Sequence, residues 1–251
     1  MTASAKKGGV IAGGLLYAGV ALAPASAADA CRNEIVNDVP FVACAFDPKQ
    51  HRIETFHADE EGAPYRHFRA LAADLARRGR VLAFAMNAGM YDKARRPIGL
   101  YVENGEVQKT ANTNDGPGNF HLKPNGVFYV DTEERAGVME TSAFLAAGTK
   151  PRFATQSGPM LVIDGAVHPR FLPDSASRKI RNGVGVGEDG TVYFAKSDGP
   201  VTFHAFATYF RDRLGAPNAL FLDGTISRVY APEIGRRDAG AAMGPMVGVV
   251  E

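Results

Sequence analysis

The residues best suited to chemistry sit in Asn218-Ala-Leu-Phe-Leu-Asp-Gly-Thr-Ile-Ser227. Ala219 to Leu222 form a short apolar run of the kind that fills a buried strand, and the run stops at Asp223-Gly224. A carboxylate at the end of a buried strand, followed by a residue free to take positive φ, is aimed into a cleft. There it can carry a proton or face a developing positive charge. An Asp-Gly turn between two strands would give the same residues a purely structural role. A second stretch is built alike: Val81 to Met86 is apolar and ends at Asn87-Ala-Gly89-Met-Tyr91.

Both stretches need elements to hold them. Tyr65, Phe68, Leu71, Ala72 and Leu75 recur at helical spacing ahead of the first strand, with Arg66, Arg69, Asp74, Arg77 and Arg78 on the opposite face. Phe203, Phe206, Ala207, Phe210 and Leu214 repeat the pattern ahead of the second, with His204, Arg211, Asp212 and Arg213 outside. Gly79 and Gly215 stand where each helix should end in a left-handed cap. The sequence therefore predicts two helix–strand–(Asn or Asp)–Gly units that present Asn87 and Asp223 to one pocket.

The chain opens on Lys6 and Lys7, an apolar, glycine-laced run from Gly8 to Ala23, and Pro24-Ala-Ser-Ala27. This is the pattern of a secretory signal peptide over residues 1–27, cleaved after Ala27, with residues 28–251 as one domain. The run is too short and too rich in glycine for a stable membrane span. Removing its two lysines and no acid takes the formal charge from +1 to −1. Such a product has no electrostatic case for nucleic acid or an anionic membrane as partner. Cys31 and Cys44, in an oxidising compartment, fit one disulfide tying two N-terminal strands together. The metal-pair reading lacks a histidine or a second cysteine at ligand spacing. A periplasmic or secreted location follows from the leader.

In chain order, Ile35 to Val39 and Phe41 to Phe46 read as a first strand pair, His51 to Phe56 as a strand, and Asn104-Gly105 as a hairpin turn between Ile98–Val102 and Val107–Thr110. Asn112 to Gly126 is a long polar loop in which Phe120, His121 and Lys123 favour an ordered lid or rim. Val127 to Val130, a strand opened by Gln156-Ser-Gly-Pro159, a hairpin over Val184–Ala195 and a last strand at Met246–Val250 follow. Ala143 to Ala147 reads as a short helix or turn, and Tyr230 to Arg237 as loop. Many short strands and two main helices predict a single-domain α+β fold around a mixed, largely antiparallel sheet.

Four ordered motifs then resemble those of the phosphodiester glycosidase family, in particular a bacterial exported branch that carries the Asn112–Gly126 loop. They are Asn87-Ala-Gly-Met-Tyr91, Gln156-Ser-Gly-Pro159, Ser177-Arg-Lys-Ile-Arg-Asn-Gly-Val-Gly-Val186 and Leu222-Asp-Gly-Thr-Ile-Ser227, and the match covers Phe41 to Glu251. One departure is Thr225, which stands where many members carry a second glycine after the Asp-Gly. The resemblance implies a carbohydrate phosphodiester substrate, hydrolysed at the anomeric C1–O bond to a free sugar and a phosphomonoester.

Glycoside cleavage ordinarily uses two carboxyl groups, but phosphate is already a good leaving group. Its charge then needs cations or N–H donors, and one ionised carboxylate must serve the water or the oxocarbenium-like transition state. The catalytic candidates are Asp223, Asn87 and Asp198. Arg178, Arg181 and Lys196 are candidate phosphate holders. Gln156, Ser157, Gly158, Gly89, Tyr91, Gly224 and His121 are further candidates to bind substrate. The basic run reads equally as a solvated loop, Asp198 as a turn residue, and Tyr91 as a packing aromatic. No cofactor is expected. The six histidines lack metal-ligand spacing, while scattered Asp and Asn oxygens stay compatible with a divalent cation such as calcium. Two other functions suit the same fold: a non-catalytic periplasmic module binding glycan or sugar phosphate, and a phosphodiesterase cutting P–O.

Overall fold

The computed structural model describes residues 1–3 and 30–251, so nearly all of the predicted leader lies outside the described residues. In chain order the strands begin with β1 (Cys31–Val36), β2 (Val39–Phe46), β3 (Arg52–Phe56), β4 (Leu82–Asn87), β5 (Tyr101–Glu103) and β6 (Glu106–Lys109). They continue with β7 (Gly126–Asp131), β8 (Ala136–Glu140), β9 (Pro151–Ser157), β10 (Met160–Ile163), β11 (Ala166–Val167) and β12 (Asn182–Val186). The last are β13 (Val192–Ser197), β14 (Asn218–Asp223), β15 (Val229–Ala231), β16 (Arg236–Arg237) and β17 (Met246–Val250). Three α-helices accompany them: α1 (Phe68–Arg77), α2 (Thr141–Ala147) and α3 (Phe203–Thr208), the last running on as a π-turn through Arg213.

Three antiparallel sheets result, in the orders β1-β2-β13-β12-β14-β10-β11, β16-β15-β4-β17-β3 and β6-β5-β9-β7-β8. The period-2 rule explains how they stack. Leu220 and Leu222 of β14, Val184 of β12 and Val42 of β2 face one way, onto Phe84 and Met86 of the second sheet and Phe128 and Val130 of the third. Ala219, Phe221 and Phe41 face the other way, onto Phe206, Phe210 and Leu214. The first sheet is therefore buried on both faces, which is why its strands read as continuous apolar runs. α1 covers the outer face of the second sheet through Phe68, Leu71 and Leu75, and Phe144 of α2 packs on the outer face of the third. The fold is α+β, as the sequence predicts.

The two predicted helices and their caps are present: Gly79 has φ +70° and Gly215 φ +67°. The differences are local. The first strand runs over Cys31–Val36, not Ile35–Val39, because Asn37 and Asp38 both take positive φ and form the hairpin turn. Asp74, expected outside on α1, is buried and receives the Tyr65 hydroxyl at 2.6 Å and Arg78 at 2.5 Å. Gln156 and Ser157 end β9 rather than open the next strand, and β8, β15 and β16 carry no sequence signal of comparable strength. The disulfide joins Cys31 to Cys44, which lie directly opposite each other in β1 and β2. No helix of the described residues is long and apolar enough to cross a membrane.

Candidate active site

Asp223 closes β14, and the register of the first sheet places Asn182 of β12 opposite it and Lys196 of β13 opposite Asn182. Asn182 is the joint of the region. Its Oδ1 accepts from the Asp223 backbone N–H at 2.9 Å, and its Nδ2 donates to the backbone oxygen and the Oδ1 of Asn87 at 3.1 and 3.0 Å. Asn87 Oδ1 also accepts the backbone N–H of Arg228 at 3.0 Å. The two predicted strand ends do meet, therefore, through a buried amide pair. Asn87 lies behind the cleft as a brace and is fully buried.

In front of this brace lies a hollow of about 830 Å³. Asp223, Gly224 and Thr225 form one side, Lys179 to Arg181 another, Tyr91 and Arg95 a third, and Gly118 to His121 of the long loop a fourth. That loop is an ordered rim. His121 Nδ1 lies 2.9 Å from the Asn114 oxygen, Lys123 Nζ donates to the Thr113 oxygen at 2.9 Å, and Phe120 is buried.

Asp223 is only 6% exposed, and among the described residues no cation lies within ion-pair distance of it. Burial pushes its carboxyl up from the ordinary carboxylate range, against the pull of the backbone N–H groups of Thr225, Ile226 and Gly224. Thr225 N–H donates to Oδ1 at 2.8 Å, so the residue that departs from the family pattern contributes a backbone donor, for which its side chain is immaterial. Gly224 does not take the positive φ expected of it; a Cβ there would lie 2.9 Å from the Phe221 ring, so space is what glycine supplies. Tyr91 beside it is raised by burial and then by the Asp223 charge.

Arg181 is 1% exposed. Its Nε donates to the Val201 oxygen at 3.0 Å and one Nη to the Ser177 oxygen at 3.2 Å. The guanidinium lies 3.6 Å over the Phe203 ring and 5.6 Å from that of Phe221. No carboxylate answers it among the described residues, and burial alone pulls it down to about 10. A buried cation without a counter-ion among the described residues, on the wall of an open hollow, has the chemistry to attract an anion.

The other predicted residues are placed as follows. Arg178 is exposed and outside the lining, while its neighbour Lys179 is in it. Lys196 and Asp198 bind each other; Asp198 also receives Arg236 at 2.6 and 2.9 Å, and Arg236 reaches Asp238 at 3.2 Å. Burial works against the Asp198 charge, but the hydrogen bonds from Arg236 and Lys196 outweigh it and hold its carboxyl below the usual range. This network is internal to the protein and contributes no side chain to the hollow. Gln156 has all four amide bonds taken. Its Oε1 accepts from Leu100 N and Asn112 N at 2.9 and 2.8 Å, and its Nε2 donates to the Asn112 oxygen and Thr141 Oγ1 at 2.8 and 3.2 Å. Ser157 Oγ donates to the Leu222 oxygen at 3.0 Å. Gly158 and Gly89 serve close approach: a Cβ on Gly158 would meet Asn125 at 2.7 Å, and Gly89 has φ +118° with Thr155 2.9 Å from a Cβ. His121 and Tyr91 line the hollow. Sequence reasoning passed over Asn182, Arg95 and Asn119. Asn182 had a signal, being the one polar side chain at the head of a glycine–valine strand; Asn119 opens a 3-10 turn inside the loop already read as a rim, and Arg95 sits in a turn with no signal of its own. Among the described residues no group of three or more His, Cys, Asp or Glu gathers as a metal-binding cluster.

Comparisons with known proteins bear on the family and the fold. Residues 80–242 match the phosphodiester glycosidase family. The Escherichia coli (strain K12) protein YigE, itself uncharacterized, is 39% identical over 188 residues, 75% of this chain and 73% of that protein. The catalytic domain of zebrafish N-acetylglucosamine-1-phosphodiester alpha-N-acetylglucosaminidase, auto-inhibited by its pro-peptide, superposes with a TM-score of 0.60 at 13% identity, covering 87% of this chain and 81% of that one. A protein of Burkholderia pseudomallei K96243 proposed to be exported does so at 0.52 and 14%, covering 84% and 74%. With its motifs in place and most of its length matched, the chain belongs to the phosphodiester glycosidase family.

Proposed function

We propose that this protein is an exported hydrolase that cleaves the C1–O bond of a sugar-1-phosphodiester. The observation that carries the reading is one hollow shared by a buried carboxyl, Asp223, and a buried cation, Arg181, neither of which has a counter-ion among the described residues. Family membership supports a glycosidase-type activity, and the zebrafish relative is named for this class of bond. The disulfide and the N-terminal leader pattern support export.

Ionised Asp223, its charge destabilised by burial, takes a proton from a water as the water oxygen bonds to C1. The C1–O bond breaks with its electron pair on the departing phosphomonoester oxygen. Arg181 and Lys179 receive that phosphate, and Arg95, whose guanidinium lies 5.1 Å over the Tyr91 ring, holds the opposite wall. The proton leaves Asp223 to solvent, and the site is restored.

The test is turnover of a synthetic panel of sugar-1-phosphodiesters in oxygen-18 water. Label in the sugar is the expected result, and Asp223→Asn should lower kcat by about 10²–10⁴-fold with the fold intact. Label in the phosphate would make the protein a phosphodiesterase of the P–O type. Binding without turnover across the panel would make it a glycan-binding module.

A further inference from the structure

A second cavity, of about 270 Å³, lies beside the catalytic hollow. Its floor is Phe68, Tyr230 and Met243, and its polar wall carries Arg69, Arg228 and Arg237. Arg69 and Arg237 make no ion pair and no side-chain hydrogen bond among the described residues, and the Arg228 guanidinium donates there only to a backbone oxygen, that of Ala241, at 2.5 Å. The one acid in the lining, Asp238, is already engaged by Arg236 at 3.2 Å and by Lys196 at 3.7 Å. The cavity therefore keeps an uncompensated positive potential over an aromatic floor. α1 begins at its rim with no side-chain cap and no acid in its first turn, which adds to the same sign.

The two cavities share a wall. Ile226 lines the catalytic hollow and Arg228, two residues on, lines the second cavity. Tyr91 of the first lies against Gly244, next to Met243 of the second. A substrate that places one phosphodiester at Asp223 and extends along this wall meets the arginines with its next unit.

We infer that this cavity is a second anion subsite, and that the substrate is a polyanionic glycan with phosphodiesters at successive units, one read at Arg181 and the next at Arg69 and Arg237. The substrate class rests on the proposed glycosidase reading; the subsite itself does not. Sugar rings linking such phosphates have apolar faces that suit Tyr230 and Phe68.

Calorimetric titration of the full chain with inorganic phosphate tests the subsite without turnover. Wild type should show two sites, Arg69→Ala/Arg237→Ala one, and Arg181→Met the other one. Both arginines of the double variant are exposed, so the fold should hold, and Arg237→Glu alone should weaken the same site relative to wild type. An isotherm of the double variant equal to wild type would overturn the subsite. Where turnover is found, KM for a synthetic glycan with two phosphodiesters should rise about tenfold in the double variant, with KM for the single phosphodiester unchanged. An equal change on both substrates would overturn the polyanion reading. No turnover of any substrate by wild type would defeat the glycosidase reading, and the phosphate titration would still decide the subsite.

Discussion

Burial disfavours the charged form of both Asp223 and Arg181, and that is measurable at each residue. Because the folded state raises the Asp223 pKa above its unfolded value, the folded protein holds this proton more tightly than the unfolded chain does. Stability is then lost as pH rises from the ordinary carboxylate range through the folded value. Asp223→Asn removes that loss while keeping an acceptor for Thr225 N–H. Its melting temperature should exceed that of wild type at neutral pH and converge with it in acid, as scanning calorimetry would show. Under the proposed mechanism the same displacement sets the activity profile. A base works ionised, so kcat/KM should rise with pH along a limb shifted above the usual carboxylate range, and a limb at the ordinary position would remove Asp223 as the base. Arg181→Met keeps an apolar stem between Phe203 and Phe221 but no cation, so binding of sugar phosphate should fall while the melting temperature holds or rises.

At the scale of elements, two buried amides do the positioning. Asn182 ties β12 to β14 and β4, and Gln156 ties the end of β9 to the loop that begins at Asn112. Gln156→Leu would strand the Leu100 and Asn112 amides and should cost about 1–3 kcal/mol for each group left unpaired. Hydrogen exchange should localise the effect, with protection lost across residues 112–125 while the first sheet stays closed. Uniform loss of protection would show that the loop and sheet are one cooperative unit. Gly89→Ala meets both a left-handed φ of +118° and a close approach by Thr155, and denaturant titration should find it destabilised by more than about 1 kcal/mol.

For the molecule as a whole, three sheets share one core and each carries a helix on its outer face, so the site lies where sheet ends meet rather than on any single element. The disulfide staples the edge hairpin of the largest sheet. It closes a loop with a sequence separation of 13, and Cys31→Ser/Cys44→Ser should lose about 3 kcal/mol in urea denaturation, with little change in kcat because the hairpin lies outside the hollow's lining.

The sequence by itself determined the α+β class, the two capped helices, the buried strands ending at Asn87 and Asp223, and the disulfide. Each rests on short-range periodicity, turn chemistry or compartment, which a linear chain displays. Only the tertiary structure decided which polar groups are free. Gln156, Ser157, Lys196 and Asp198 look as reactive in the sequence as Arg181 and Asp223 do. Their partners at Asn112, Leu222, Arg236 and Asp238 are supplied by folding, and they occupy the first four and leave the last two without a counter-charge among the described residues. Availability for chemistry is a property of what long-range packing fails to neutralise, and no local pattern of residues records it.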